Sequence, residues 1–471
     1  MNIIIVNIDS LRKDHLACFG NPWIYTPNFD KFFEKSIVFD NFCLNCIPTI
    51  PFRRCMMLGR HVYPFKDAMF IQGVTPILGW QPMGHDELTV QEVLKNAGYV
   101  TGMVTDVYHF FKPSLNFHRG FDSWQLIRGQ EGDPLLTGAS NQDPGPYVYP
   151  KLDGTKMQNF MEQHVFNIED RLSEEDCFAP RVFRTAEKWL ERNTRYYEDF
   201  FLYIDSFDPH EPWDAPKEYV ELYDPGYKGK EMIFPQNGPD EDLTPEEVKH
   251  IRAMYAAEVT MVDRWFGHFM EKFNLMGLGK DTAVLLLTDH GLPLGEHGVF
   301  KKIAPALYNE LLDVPMMLML PEESREHKRI KGMVQECDIT PTMLKLMGVE
   351  APDTMDGLDF WPLITGEKEE IREYAYGGYH TYAYTRDQKY HYFRGLSNEN
   401  DRHLFDIEND PLMEKDLIDV EPAVVKMMEE RLIKSLDGWE LPEQIGASAA
   451  GAPYAPLGRK RADAWGSMSK P

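Results

Sequence analysis

Short apolar runs that end in polar residues recur along the chain, separated by stretches with helical periodicity. NIIIVNID at residues 2–9, YVTGMVTD near 100, FFLYIDSF near 200, TAVLLLTDH near 285 and VPMMLML near 315 each have the length of a buried strand. Between them, amphipathic patterns predict helices over 88–97, 179–193 and 244–275. The last opens on Thr244-Pro245-Glu246-Glu247, where a hydroxyl can cap the first turn and proline suits it. Strands alternating with helices predict an α/β fold: a large, mostly parallel sheet flanked by helices. Ligands of such sheets collect at the carboxyl ends of the strands. Three of the runs place an acid there, Asp9, Asp205 and Asp289, so these distant residues are predicted to converge on one edge.

The pattern changes twice. Residues 128–160, rich in Gly, Pro, Asn and Asp, read as a long excursion over the sheet. After Gly366 the segment YAYGGYHTYAYTRDQKYHYFRG alternates aromatic and polar positions, as antiparallel strands do, and a helix is predicted over 421–436. These features divide the chain into a large first domain (1–368), a small C-terminal α+β unit with an antiparallel sheet (369–440) and an extended tail (441–471) without periodicity.

Charge narrows the function. Asp and Glu number 75 against 49 Lys and Arg, and the resulting net charge of −26 repels nucleic acid and anionic membrane surfaces. Neither is expected as a partner. An anionic small-molecule substrate would need a local island of positive charge. The opening MNIIIVNIDS reads as a buried first strand rather than a secretion signal, and no apolar run has membrane-spanning length. The six cysteines (Cys18, Cys43, Cys46, Cys55, Cys177, Cys337) show no paired metal-ligand spacing, and reduced thiols fit an expected cytoplasmic location.

The chemistry gathers around Thr49-Ile50-Pro51-Phe52-Arg53, followed by Leu58-Gly59-Arg60. A nucleophile at the mouth of a helix, with an arginine one turn later, can use free amides and a guanidinium to stabilise an anionic transition state. In register this resembles the Cys/Ser-x-Pro-x-Arg motif, with its following Gly-Arg, of sulfatases and phosphonate monoester hydrolases. The resemblance continues through NIDSLRKDH, DSFDPHEPWDAP, LLLTDHGLPLGEHGVFKK and LFDIENDPLMEKDL, so it spans roughly residues 1 to 435. It implies an alkaline phosphatase-like fold and one divalent cation (Ca, Mg or Mn) held by Asp9, Asp289, His290 and the Thr49 oxygen. Hard oxygen donors with one imidazole suit such ions. It further implies Thr49 as the nucleophile, Arg53 and Lys302 balancing charge on the substrate, and His210 as general acid. Tyr108, His109 and His297 are candidate pocket residues, with Tyr379 and His380 beside them. A homo-oligomer is compatible with the resemblance, with 128–160 or the tail reaching a neighbour.

The chain also departs from the pattern. Threonine cannot become formylglycine, the modified residue that sulfatases make from Cys or Ser. The rival alignment on Cys46-Ile47-Pro48 puts Ile50 where the arginine belongs and is rejected. Ser10 follows Asp9 where many sulfatases have a second Asp, and Thr105-Asp106-Val107-Tyr108 replaces their Gly-Lys-Trp-His. A sulfated threonine has no elimination route back to an aldehyde, whereas a phosphorylated one can be resolved by attack at phosphorus. The expected function is therefore cleavage of phosphate diesters or phosphonate monoesters. Sulfate ester hydrolysis without formylglycine is the second reading, and a silent anion-binding protein of the same fold is the third. Plainer roles exist for several residues: Asp9 and Asp289 as helix caps, Asp205 and Asp208 as caps of the turn at Pro209, His297 as a loop brace, and Tyr374 to Tyr384 as a strand face.

Overall fold

The computed structural model describes residues 1–65, 77–112, 114–137, 147, 156–239, 242–398 and 400–440. Its first strand, Asn2–Ile8, is buried at all seven positions, and alternate side chains feed different cores. Ile3 and Ile5 join Phe52, Met56 and Leu285 on one face; Ile4, Val6 and Ile8 join Val182, Val259 and Leu286 on the other. A strand covered by helices on both sides requires such an unbroken apolar run.

The main sheet runs in the order Lys328–Ile330, Ile37–Phe39, Met316–Met319, Thr282–Leu287, Asn2–Ile8, Phe200–Ser206, Val100–Thr105, Ser123–Leu126. Met316–Met319 pairs antiparallel with both of its neighbours, and the other pairings are parallel. The predicted helices are found at Val90–Asn96, Phe178–Asn193 and Pro245–Leu275. At the start of the last, Thr244 Oγ1 accepts from the Glu247 amide (3.3 Å) while the Glu247 carboxylate accepts from the Thr244 amide (2.8 Å). Two amides with no helical partner are thereby satisfied.

The C-terminal strands Ala375–Tyr379, Tyr382–Arg386, Tyr390–Gly395 and Arg402–Asp406 form an antiparallel sheet covered by the helix Pro422–Leu436. The aromatic alternation reads correctly as strands, but the sheet does not stand apart from the larger domain. A two-residue strand, Cys46–Ile47, adds parallel to Ala375–Tyr379 through Cys46↔Gly378 and Ile47↔Tyr379, directly before Thr49. Contact there is close: a Cβ on Gly378 would lie 2.2 Å from the Tyr63 ring. Of the predicted excursion, 138–146 and 148–155 lie outside the described residues, as does the tail from 441 onward. Among the described residues no helix is long and apolar enough to cross a membrane.

Candidate active site

Three neighbouring parallel strands deliver the acidic side chains. Asn7 lies opposite Asp205 on one side and Leu287 on the other, so Asp9, Asp205 and Asp289 reach the same sheet edge. All three are fully buried. The helix Thr49–Leu58 brings Arg53, itself fully buried, into their midst. Its Nε and Nη2 donate to Asp205 (2.8 and 2.7 Å), Nη2 also to Asp9 Oδ2 (3.0 Å), and Nη1 to Asp289 Oδ2 (2.5 Å) and the Thr49 carbonyl (3.0 Å). A guanidinium has five N–H donors, and here all are used.

Two expectations change as a result. Arg53 was expected to face the substrate, yet its donors are spent on the protein, so it holds the acids and the Thr49 turn in place. Asp205 was expected to cap the turn at Pro209. Instead it forms a fork with Arg53 and also accepts from Asn7 (2.9 Å) and Tyr203 (3.0 Å). Its neighbour Asp208 accepts from Gln130 (2.7 Å) and the Ala179 amide (2.9 Å). The pattern of acids at strand ends already marked Asp205, and only the preference for a turn cap set it aside.

The residues present fit a divalent cation. Donor atoms of Asp9, Asp289 and His290 lie within 4.8 Å of one another. His290 Nδ1 donates to the Gly291 carbonyl (2.8 Å), which leaves the Nε2 lone pair buried, unpartnered, and 3.8 and 3.5 Å from Asp9 and Asp289. A lone pair aimed at two carboxylate groups is unfavourable unless a cation lies among them. Burial lowers His290 to about 3, so it stays neutral, with a lone pair free for a cation. Burial and the neighbouring Asp289 push Asp9 well above its ordinary range. With all three acids ionised, one guanidinium leaves a residual charge of −2; a divalent ion matches it and would favour the ionised form of Asp9. Ser10 ties the set together: its hydroxyl donates to Asp9 (2.8 Å) and its amide to Asp289 (3.2 Å).

Gly291 is required beside this histidine, since a Cβ there would lie 2.1 Å from the Glu310 carbonyl oxygen. Gly291→Ala is expected to cost about 1–3 kcal/mol in urea denaturation and to weaken metal binding by displacing His290.

Lys302 and His210 form the other wall. His210 Nδ1 donates to the Glu211 carbonyl (2.7 Å), so its Nε2 accepts from the Lys302 ammonium. Burial lowers His210 to about 4, and Lys302 acts electrostatically on Asp9, His290 and His210 alike. Phe207 stacks on His210 at 4.0 Å and touches His109 at 5.9 Å. Glu131 pairs with His109 (3.0 Å) and lies 3.8 Å from His210, while Glu211 pairs with the buried Lys301 (2.9 Å). Glu131, Glu211 and Lys301 were not singled out from the sequence, where a carboxylate in a loop carries no signal of what it will face.

The low value for His210 sets a pH signature. The unfolded chain takes up a proton on this imidazole before the folded one does, so its contribution to stability is lost as pH falls from about 6.5 towards 4. The stability advantage of wild type over His210→Gln should shrink by about 2 kcal/mol between about pH 7 and about pH 5 in paired denaturation curves.

The remaining candidates divide. Tyr108 is buried and its ring packs on His109 at 4.3 Å, behind the wall. His297, expected in the pocket, has φ +54 in a turn between Gly295 and Gly298 and stacks on Tyr308 at 3.8 Å. It faces Glu310 (3.5 Å), so it braces the loop. Tyr379 is buried within electrostatic reach of Glu211, and His380 Nδ1 accepts from the Leu78 amide (3.3 Å). The Cys46 thiol donates to Asn45 Oδ1 (3.0 Å).

Comparison with known proteins places this geometry. The sulfatase family profile matches residues 1–349, and the profile of the N-sulphoglucosamine sulphohydrolase C-terminal region matches 295–437. The chain belongs to the sulfatase family. It is thus a hydrolase of a family whose enzymes act on ester bonds and typically depend on a divalent metal. An arylsulfatase of Clostridium perfringens (strain 13 / Type A) is 24% identical over 491 residues, covering 93% of this chain and 95% of the relative. The phosphonate monoester hydrolase of Agrobacterium radiobacter superimposes with a TM-score of 0.70 at 17% identity, covering 92% of this chain and 95% of that one. A structure solved with D-glucosamine-2-N,6-O-disulfate as its substrate gives a TM-score of 0.70 at 17% identity, covering 93% and 97%. The sulfatase-family chain therefore shares its fold with enzymes named for both phosphorus and sulfur esters.

Proposed function

We propose that this sulfatase-family hydrolase cleaves phosphate diesters or phosphonate monoesters with Thr49 as nucleophile. One observation carries the reading: a residue that cannot become formylglycine opens the helix Thr49–Leu58, and the carbonyl of that same residue is held by the arginine that organises the acidic cluster. A cation bound by Asp9, Asp289, His290 and Thr49, whether Ca²⁺, Mg²⁺ or Mn²⁺, would supply Lewis acidity toward the ester's oxygens. Everything else is done by the chain. The free amides at the start of the helix favour an anionic group in front of Thr49. The Thr49 hydroxyl loses its proton to solvent as its oxygen attacks phosphorus in line with the leaving alcohol; water then attacks the phosphorylated threonine at phosphorus, breaking the bond to the Thr49 oxygen, which regains a proton. Lys302, hydrogen-bonded to His210 Nε2, supplies the cationic charge beside the substrate. The Lys302–His210 pair is the source of the proton for the leaving alcohol. His109, fixed by Glu131, lines the leaving-group side.

Turnover of bis-p-nitrophenyl phosphate, p-nitrophenyl phenylphosphonate and p-nitrophenyl sulfate, each with Ca²⁺, Mg²⁺ or Mn²⁺, tests the proposal. The first two should be hydrolysed, with loss of activity on chelation and recovery on adding a hard divalent ion. Turnover of the sulfate alone would favour the second reading, which the arylsulfatase likeness supports. No turnover with any ion would leave only an anion-binding role.

A further inference from the structure

The wall around Lys302 and His210 holds two imidazoles, and they differ in what their ring nitrogens offer. His210 commits both: Nδ1 donates to the Glu211 carbonyl (2.7 Å) and Nε2 accepts from Lys302. His109 Nε2 lies 3.0 Å from Glu131 Oε2. A neutral imidazole carries one N–H, and a carboxylate can only accept, so Nε2 holds the proton and Nδ1 the lone pair. His109 is also the more open of the two, its side chain 14% exposed against 5% for His210. Water can therefore reach a lone pair on His109 that His210 does not offer.

Glu131 is held in place for this pairing. Its φ of +48 is a left-handed conformation that a glutamate keeps only where its surroundings impose it. On one side Gln130 Nε2 donates to Asp106 (3.2 Å) and Asp208 (2.7 Å). On the other, Asp133 accepts a fork from Arg128 (2.6 and 2.7 Å) and the Gly129 amide (2.8 Å). Between these anchors Glu131 is buried, with Oε1 3.8 Å from His210 Nδ1. Burial alone would raise it, yet the hydrogen bond to His109 and the electrostatic pull of His109 and His210 hold it below its ordinary value, so it is ionised. Phe207, stacked on His210 at 4.0 Å and 5.9 Å from His109, keeps the two rings side by side. The other charged groups around the pair are Lys112 and Asp133 on its outer side and Glu211 beyond His210.

Resting on the phosphothreonine reading above, we propose that His109 is the catalytic base for the second half of the reaction and that Glu131 positions it. In-line displacement requires the water to enter opposite the Thr49 oxygen, on the side that the alcohol has vacated and that His109 lines. The water oxygen bonds to phosphorus, its proton passes to His109 Nδ1, and the bond between phosphorus and the Thr49 oxygen breaks. The Thr49 oxygen takes a proton from solvent, and His109 then returns its own there. Glu131 fixes the tautomer and balances the imidazolium while it lasts.

The first turnover of bis-p-nitrophenyl phosphate by the full-length enzyme, with the divalent ion that supports wild-type activity, tests this. His109→Gln should release one equivalent of p-nitrophenolate in a burst at close to the wild-type rate and then turn over at least about 100-fold more slowly. Mass spectrometry should find the p-nitrophenylphosphoryl group on the Thr49 peptide of that variant. Glu131→Gln, which can still accept from Nε2 but carries no charge, should show the same pattern more mildly. Its adduct should decay with an acid limb moved to lower pH than in wild type, because the carboxylate that favours the imidazolium is gone. A purely structural brace would slow the burst and the steady phase together and leave that limb in place. Equal slowing of both phases, unchanged turnover, or no adduct in His109→Gln while the wild type is active would overturn the proposal. Lack of wild-type turnover, or activity retained by Thr49→Ala, would instead remove the phosphothreonine reading beneath it.

Discussion

Thr49→Ala is expected to lower kcat for bis-p-nitrophenyl phosphate by about 10⁴-fold or more, since removal of a covalent nucleophile is among the costliest single changes an active site can suffer. Thr49→Ser should keep activity within about tenfold, because it retains the hydroxyl and loses only a methyl group. The pair separates the chemistry from the fold. Thr49 is buried at the first position of a ten-residue helix, and its backbone carbonyl, not its side chain, is the group that Arg53 grips. The alanine variant should accordingly keep its melting temperature to within small changes, while binding the divalent ion more weakly for want of the Thr49 oxygen. If it kept full phosphodiesterase activity, Thr49 would be no nucleophile. If it lost stability along with activity, the residue would be serving the helix rather than the reaction.

The largest effect on stability is expected at Arg53. Replacing it with leucine leaves Asp9, Asp205 and Asp289 buried without their shared cation. Breaking such a buried set by removing one partner costs about 3–5 kcal/mol, read as a lower denaturation midpoint at unchanged m-value. Arg53→Lys should recover only part of this, because one ammonium with three donors cannot reproduce a fork to Asp205 together with bonds to Asp9, Asp289 and the Thr49 carbonyl. A divalent ion should restore stability to the leucine variant by more than it stabilises the wild type, since it balances the same carboxylates. An Arg53→Leu protein as stable as wild type would show that the three acids are neutral when buried.

Much of this architecture was legible in the amino-acid order. Strands that are covered on both faces need unbroken apolar runs, and those runs placed Asn2–Ile8, Val100–Thr105, Phe200–Ser206, Thr282–Leu287 and Met316–Met319. The capping residues marked the start of Pro245–Leu275 through local hydrogen bonds alone. Even the meeting of Asp9 with Asp289 followed from strand ends, because parallel neighbours in such a sheet present the same ends to one edge.

Only the tertiary structure decided how the side chains are shared. Residue types mark Arg53 as a cation but do not say that all five of its donors turn inward, nor that Asp205 receives two of them. His297 is directed to Tyr308 by a backbone turn, and Cys337 Sγ meets His61 Nε2 from 276 positions away along the chain. Hydrophobic periodicity is set by each residue's nearest neighbours in its own element, so sequence records it directly. The partner of a buried charge or thiol is set by the relative placement of separate elements, and that is settled only when the sheets pack.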